Sequence, residues 1–170
     1  MQAFPIARAA IAGLALVFIG SCDQVSVGGS GFQTKYAVAR DALENGHYDR
    51  AKRQYLVLIK DAGPLAPRLQ LEYAHAELRS GNYSEAANIA NSLARSQTGE
   101  ARAAALSVQG TAQHELGLQL LAQGNNAAGK ENLTAAQSAL AEVLKTNPDL
   151  DPIGSMAGRL ASIKVRLAAL

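Results

Sequence analysis

Apolar and small side chains recur at helical spacing along most of this chain, in stretches separated by short polar segments that contain glycine. Residues 36–46 lead into residues 47–63, and residues 69–81 lead into residues 82–96. Glycine at each junction permits a left-handed residue that ends the first helix, so that the second helix can fold back on it. This pattern predicts pairs of antiparallel helices joined by tight turns.

The two pairs are also copies of one another. The matching residues, each separated by 35 positions, are Gly46 and Gly81, Tyr48 and Tyr83, and Ala51 and Ala86. A fixed period of this length is typical of arrays in which each repeat is one supersecondary unit. The alanine that follows each turn glycine by five residues lets the two helices approach closely.

The pattern resembles the tetratricopeptide repeat, whose unit carries a small residue in its first helix, then an alanine, then an aromatic residue four positions later. These places are held by Ala39, Ala51 and Tyr55 in the first unit, and by Ala74, Ala86 and Ala90 in the second. The family's early tryptophan is missing, and its closing proline is displaced to Pro64 in the first unit and absent from the second. A generic array of helical hairpins is the alternative, and it gives nearly the same fold.

A third unit follows, with extra chain between its two halves. Gly110 takes the small position, Gly117 the turn position and Ala136 the position in the second helix, with Pro148 as the closing proline. Gly46 to Ala51 spans five positions, whereas Gly117 to Ala136 spans nineteen, so fourteen residues are inserted. If each helix gains seven residues, the apolar faces stay in phase and the turn moves to residues 124–129. We therefore predict a third hairpin that projects beyond its neighbours.

One more helix is predicted after Pro148, with Asp151 as its cap and Pro152 in its first turn. Its apolar residues are spaced alternately by three and four, and they are Ile153, Met156, Leu160, Ile163, Leu167 and Leu170. Such a narrow seam faces a single neighbour. We interpret it as a capping helix that covers the end of the array. Self-association of two copies through the same seam is the alternative.

The N-terminal residues are typical of an export signal. Arg8 is followed by an apolar run at residues 9–20, which is too short to span a bilayer well. Residues 19–22, Ile-Gly-Ser-Cys, resemble the lipobox of bacterial lipoproteins, which implies lipidation of Cys22, the only cysteine. We predict a lipoprotein signal peptide at residues 1–21, a flexible tether at 22–31 and the helical-repeat domain at 32–170. An ordinary secretory signal is the alternative.

Composition favours an all-α protein, and charge bears on which partners it could bind. Apolar residues make up 48% of the 170-residue chain and aromatic residues 5%, and the net charge is +2. The basic residues are scattered, which argues against nucleic-acid binding. The three histidines, His47, His75 and His114, fall in separate hairpins without metal-ligand spacing. We expect no enzyme, no metal and no cofactor.

One stretch nevertheless spells the start of a phosphate-binding loop. Residues 124–130 read Gly-x-x-x-x-Gly-Lys, but Glu131 stands where the loop needs Ser or Thr, and the preceding residues are helical rather than a strand. We interpret the stretch as the turn of the third hairpin. A nucleotide-dependent regulator or enzyme that uses Lys130 is kept as an alternative of another class.

The family resemblance implies a partner-binding groove on the concave face, which the first helix of each unit forms. The residues placed there are Tyr36, Arg40, Glu44, Leu71, His75, Arg79, Thr111 and His114. Arg40 and Arg79 could meet a carboxylate of the partner, and Tyr36 offers an amphipathic contact. A solvated polar face without a ligand is the alternative.

These observations lead to one expected fold and one expected role. The fold is an all-α α-solenoid of three tetratricopeptide-like helical hairpins plus a C-terminal capping helix. The role is a scaffold for protein interaction or assembly, lipid-anchored in the bacterial cell envelope and facing the periplasm. Small lipoproteins of this kind accompany pilus-assembly and secretion machines such as the tight-adherence pilus system. A peptidoglycan-associated or outer-membrane-assembly scaffold is the alternative within this class.

Overall fold

The computed structural model describes residues 30–170, and this part of the chain contains α-helices, two short 3-10 turns and no β-strand. The helices are α1 (Ser30–Glu44), α2 (Tyr48–Lys60), α3 (Ala66–Arg79), α4 (Tyr83–Ser96), α5 (Gly99–Ala122), α6 (Asn126–Thr146) and α7 (Ser155–Ala168). The 3-10 turns are Gly63–Leu65 and Pro148–Leu150. The predicted all-α fold is confirmed.

Each helix packs against the next one along the chain, in the order α1 to α7. Helices α1 and α2, α3 and α4, and α5 and α6 form three hairpins, and α7 packs on α6. Buried alanines fill the pairing positions, and Ala39, Ala51, Ala74 and Ala86 are completely inaccessible to solvent. The predicted solenoid of three hairpins plus one terminal helix is therefore confirmed.

The three hairpin turns share one backbone motif, and it explains the repeated glycine. Gly46, Gly81 and Gly124 have φ of 77°, 84° and 80°. The next residue in each turn donates its N–H to the carbonyl five residues earlier: His47 to Ala42 at 2.8 Å, Asn82 to Glu77 at 2.9 Å and Asn125 to Leu120 at 2.9 Å. This motif ends a helix, and its left-handed residue favours glycine.

The third hairpin is longer than the others by the predicted amount. Helix α5 ends 12 residues after Gly110 (122 − 110), whereas α1 and α3 end five residues after Ala39 and Ala74 (44 − 39 and 79 − 74). Helix α6 begins ten residues before Ala136, whereas α2 and α4 begin three residues before their matching alanines. Both helices therefore gain seven residues, about 10 Å, on the turn side.

The prediction for the last helix is wrong at both of its ends. Helix α7 begins at Ser155, so Pro152 and Ile153 precede it, and Ile153 is 87% exposed instead of buried in the seam. Leu170 also lies beyond the helix and is exposed. The seam that packs on α6 consists of Met156, Leu160, Ile163 and Leu167, with Ile163 fully buried.

Asp151 still caps the start of α7, although it lies four residues before the first helical residue, Ser155, and not directly before the helix. Its carboxylate accepts hydrogen bonds from the N–H groups of Met156 at 3.0 Å and Ala157 at 2.9 Å. A turn with Gly154 at φ 75° separates Asp151 from the helix. The carboxylate satisfies N–H groups of the first helical turn by reaching across this turn.

Because consecutive helices are antiparallel, their connections fall on two opposite edges. The turn edge carries the three hairpin turns at residues 45–47, 80–82 and 123–125. The connection edge carries residues 61–65, 97–98 and 147–154, together with the start of α1 at Ser30.

The predicted signal peptide at residues 1–21 and the lipidation site Cys22 lie outside the described residues. Most of the predicted tether at 22–31 also lies outside them, but its last two residues, Ser30 and Gly31, belong to α1. Among the helices of residues 30–170, none combines the length and the apolar character that crossing a membrane requires.

Candidate partner-binding face

The first helices α1, α3 and α5 lie next to one another and present one continuous face, which we name the first-helix face. Side-chain contacts join α1 to α3, and α5 packs on α3. The repeat register aligns three rows of residues along it: Tyr36, Leu71 and Ser107; Arg40, His75 and Thr111; and Glu44, Arg79 and Glu115. Seven of the eight groove residues predicted from the sequence lie in these rows.

Tyr36 is tied into a hydrogen-bonded cluster below the face. Its hydroxyl donates to Glu72 Oε1 at 2.7 Å, and the hydroxyl of Tyr55 donates to Glu72 Oε2 at 2.7 Å. Glu72 is buried and Tyr55 completely so. Burial, followed by the hydrogen bond to Glu72, raises the pKa of both tyrosines above the ordinary value. Tyr36 therefore holds α1 on α3, and its hydroxyl is already engaged within the protein.

The two arginines predicted to meet a carboxylate are both engaged within the protein. Arg40 binds Glu44 at 2.7 Å and lies 3.5 Å from Glu72. Arg79 donates to the carbonyl of Leu43 at 3.1 Å, and its guanidinium carbon lies 5.3 Å from the centre of the Tyr48 ring. Neither guanidinium is a free cation in this structure.

His75 lies between these cations in the middle row. Its side chain is exposed to solvent. The surrounding protein and, secondarily, Arg40 and Arg79 lower the pKa of His75 below its ordinary value of 6.5, although Glu72 opposes the shift. A neutral imidazole, which both donates and accepts hydrogen bonds, is therefore the form this row presents at neutral pH.

Two apolar clefts open at the end of this face that lies near the connection edge. The larger, of about 310 Å³, lies between α3 and α5, and its walls include Pro67, Leu71, Leu93 and Ala105. The smaller, of about 160 Å³, lies between α1 and α3 and is lined by Phe32, Tyr36, Leu65, Arg68 and Leu69. Leu71, predicted as a groove residue, contributes to the larger cleft while its inner side packs on the core.

Arg68 borders both clefts, and it is absent from the groove predicted from the sequence. Its side chain is 74% exposed, and its nearest carboxylate oxygen, on Glu72, is 3.8 Å away. The sequence does carry a signal for it, since Arg68 precedes Leu71 by three residues and His75 by seven and so shares their helical face. Arg68 is the cation of this face that is best placed to bind an incoming carboxylate.

His114 is the predicted groove residue that the structure removes from the face. It is 7% exposed and lies under α7, where its Nδ1 contacts Arg159. The repeat register matches it to Leu43 and Leu78, which are core positions. Glu115, one residue later, takes the place on the face and is bound by Arg159. Thr111 is half-buried in the middle row, as the register predicts.

We expect the protein to lose stability as the pH falls below about 6.5 because of His114. Burial and then Arg159 lower the pKa of His114 from its ordinary value of 6.5, although Glu115 opposes the shift. The unfolded chain therefore binds the proton more readily than the folded one, and acid favours unfolding. Urea unfolding at pH values of about 7.5, about 6.5 and about 5.5 measures this slope.

His114→Leu should reduce the dependence of stability on pH, because leucine does not titrate. Leucine should also fit at this position, since Leu43 and Leu78 hold the equivalent positions of the other units. His75, whose pKa is lowered as well, should keep a dependence of the same sign in both proteins. An unchanged slope in the leucine variant contradicts the role given to His114.

A cleft of greater volume, about 520 Å³, lies elsewhere, on the turn edge between the first two hairpins. It is open and mostly polar, and two of its three cations are engaged: Lys52 binds Asp49 at 3.1 Å and Glu77 at 3.4 Å, and Arg79 donates to the carbonyl of Leu43. Size alone does not make it the site, because it has less apolar surface than polar surface to bury part of a partner.

Lys130 occupies a helix rather than a phosphate-binding loop. Residues 123–125 form the turn, the side chain of Asn125 accepts a hydrogen bond from the N–H of Ala128 at 3.4 Å, and Lys130 lies exposed in α6. The segment before the turn is helix α5. The stretch does contain the hairpin turn, but the turn is shorter than predicted: of residues 124–129 only Gly124 and Asn125 lie in it, and α6 begins at Asn126. No group of three or more potential metal ligands occurs within residues 30–170.

Comparison with known protein families agrees with this architecture. The model of the tetratricopeptide repeat matches residues 36–101, which run from α1 into the start of α5. Neither the comparison with curated proteins nor that with solved structures gives a match. The first two hairpins of this chain are therefore similar to tetratricopeptide repeats.

Proposed function

We propose that this protein is a membrane-anchored scaffold of the bacterial cell envelope, facing the periplasm, that holds a protein partner during pilus assembly or secretion. Tetratricopeptide repeats are protein-interaction modules, and solenoids bind through the surfaces that successive repeats build. The N-terminal sequence supports the location, since the apolar run at residues 9–20 precedes a lipobox-like segment that ends in Cys22.

The observation that carries the proposed binding is the pair of apolar clefts on either side of Arg68. They cross from α1 to α3 and from α3 to α5, so an extended segment laid across the first helices would meet both. Apolar side chains of such a segment would fill the clefts, and a carboxylate between them would meet Arg68. The preferred partner is therefore a segment with two apolar residues flanking an acidic one.

Crosslinking and affinity capture from intact cells tests this assignment. We expect Arg68→Glu to reduce the recovery of the specific partner about tenfold, because it replaces a charge-assisted hydrogen bond by repulsion. Arg53→Glu is the matched control, since Arg53 is an exposed arginine on α2, away from the first-helix face. Equal loss in both variants, or no loss in either, overturns the binding face.

A nucleotide-dependent regulator that uses Lys130 makes the opposite prediction. Lys130→Ala should leave partner recovery unchanged if the protein is a scaffold, and it should abolish nucleotide binding if that alternative holds. A peptidoglycan-associated or outer-membrane-assembly scaffold would use the same face, and the identity of the captured partner separates it from a pilus or secretion scaffold.

A further inference from the structure

Large apolar side chains that remain exposed in residues 30–170 are unevenly distributed. Three of them lie in connections between helices on the connection edge: Leu65 is 43% exposed, Leu150 is 42% exposed and Ile153 is 87% exposed. Leu56 and Val57 follow within the last two turns of α2, which ends at the same edge. The three turns of the turn edge carry polar residues and glycine, and the exposed apolar side chain at the far end of α7 is Leu170, 47% exposed.

Ile153 is held outward by the local structure. The carboxylate of Asp151 binds the Ser155 hydroxyl at 3.0 Å as well as the two N–H groups of α7, and this closes the loop on both sides of Ile153. Pro152 restricts the backbone immediately before it. Because removing apolar surface from water is favourable, a fixed loop that leaves an isoleucine side chain in water has a surface available for an apolar medium.

The charges of the connection edge are nearly balanced. Lys60, Arg95 and Lys145 each lie in the last turn of a second helix, are exposed and form no ion pair within the described part of the chain. Exposed carboxylates on the same edge are Asp61, Glu100 and Asp149. Lysine and arginine around apolar side chains suit lipid headgroups, but the balance means that apolar insertion, rather than net charge, would drive docking.

The chain joins the domain at this edge. Ser30 starts α1 there, and seven residues separate it from Cys22. Seven residues can span at most roughly 25 Å, so a lipid chain on Cys22 would tether the domain to a bilayer at this edge and not at the turn edge.

We propose that the connection edge docks on the lipid bilayer and inserts Ile153 and Leu150 among the headgroups. This inference rests on the proposed anchoring at Cys22. In this orientation the turn edge, with the extended end of the third hairpin, points away from the membrane. The helices of the first-helix face run along the bilayer normal, so this face opens sideways, parallel to the membrane plane.

Fluorescent labels at single cysteines test the orientation. Once Cys22 carries lipid, no other cysteine exists in the chain, so Ile153→Cys, Val165→Cys and Asn125→Cys can each be labelled in the full lipidated protein. Val165 is the matched control, because it is an apolar residue of α7 that is 73% exposed but about three turns from the edge. Asn125 reports the turn edge.

In vesicles of phosphatidylcholine and phosphatidylglycerol, the label at position 153 should shift to shorter wavelength and be quenched several-fold more by nitroxide lipids than the labels at 165 and 125. Equal quenching at the three positions in protein that stays on the vesicles overturns the docking and leaves the anchoring intact. A blue shift at 153 without quenching means that protein covers the patch, and it also overturns the docking. Protein from cells that neither carries lipid nor sediments with vesicles overturns the anchoring itself.

Discussion

Glu72→Ala is expected to lower the free energy of unfolding by about 3 kcal/mol, because it leaves a buried tyrosine hydroxyl without an acceptor. Glu72 accepts hydrogen bonds from Tyr36 of α1 and Tyr55 of α2, both at 2.7 Å, while it sits on α3. One carboxylate thereby joins three helices. Urea unfolding followed by far-ultraviolet circular dichroism measures the loss.

Two variants bracket this result. Arg68→Ala removes an exposed neighbour 3.8 Å from the same carboxylate and should change stability by less than about 0.5 kcal/mol. The second variant combines Glu72→Val with Tyr36→Phe and Tyr55→Phe, which removes the carboxylate together with both tyrosine hydroxyls. An apolar residue at position 72 suits the repeat, because the positions equivalent to Glu72 in the other units hold Ala37 and Val108. The triple variant should therefore recover part of the stability that Glu72→Ala loses. Equal stability of Glu72→Ala and Arg68→Ala contradicts the role of the cluster.

Gly129→Val should lower the free energy of unfolding by about 3 kcal/mol, because the third hairpin has no room for a side chain at this position. A Cβ on Gly129 would lie 2.7 Å from Cγ of Leu121 and 3.1 Å from the carbonyl oxygen of Gly117 on the facing helix. The leucine can rotate, but the backbone carbonyl cannot move without separating α5 from α6. Thermal and urea unfolding both report this loss.

Gly158→Val is the matched control for this substitution. Gly158 is also helical, but a Cβ there would have nothing within 4 Å. Valine has a somewhat better helix propensity than glycine, so stability should stay within about 0.5 kcal/mol of the parent or rise slightly. If both variants lower the free energy of unfolding equally, the close approach of α5 and α6 does not explain the need for glycine at position 129.

Much of the fold follows from periodicity. The turn glycines, the buried alanines and the seven-residue extension of each long helix all depend on spacing along the chain, which backbone geometry converts directly into position. The error at α7 has a similar local origin. Asp151 followed by Pro152 fits a helix start, yet the chain makes a turn at Gly154 and uses the same carboxylate from a distance.

The candidate site is less predictable because it depends on contacts between units. The family resemblance places His114 on the face beside Thr111, whereas its alignment with Leu43 and Leu78 in the other units indicates the core. The engagement of Arg40 and Arg79 depends on carboxylates and a backbone carbonyl that packing brings together. The two clefts beside Arg68 are gaps between neighbouring first helices, and no pattern within one helix encodes them.

The extra two turns of the third hairpin make the array asymmetric along its length. Helices α5 and α6 stand about 10 Å above the other two hairpins on the turn edge, and so they form a step there. A flat neighbour laid on that edge would touch the step and leave the first two hairpins uncovered. A partner would need a step of the same height to contact all three hairpins on this edge. Such a partner could bind in only one orientation along the array, because the step lies at one end.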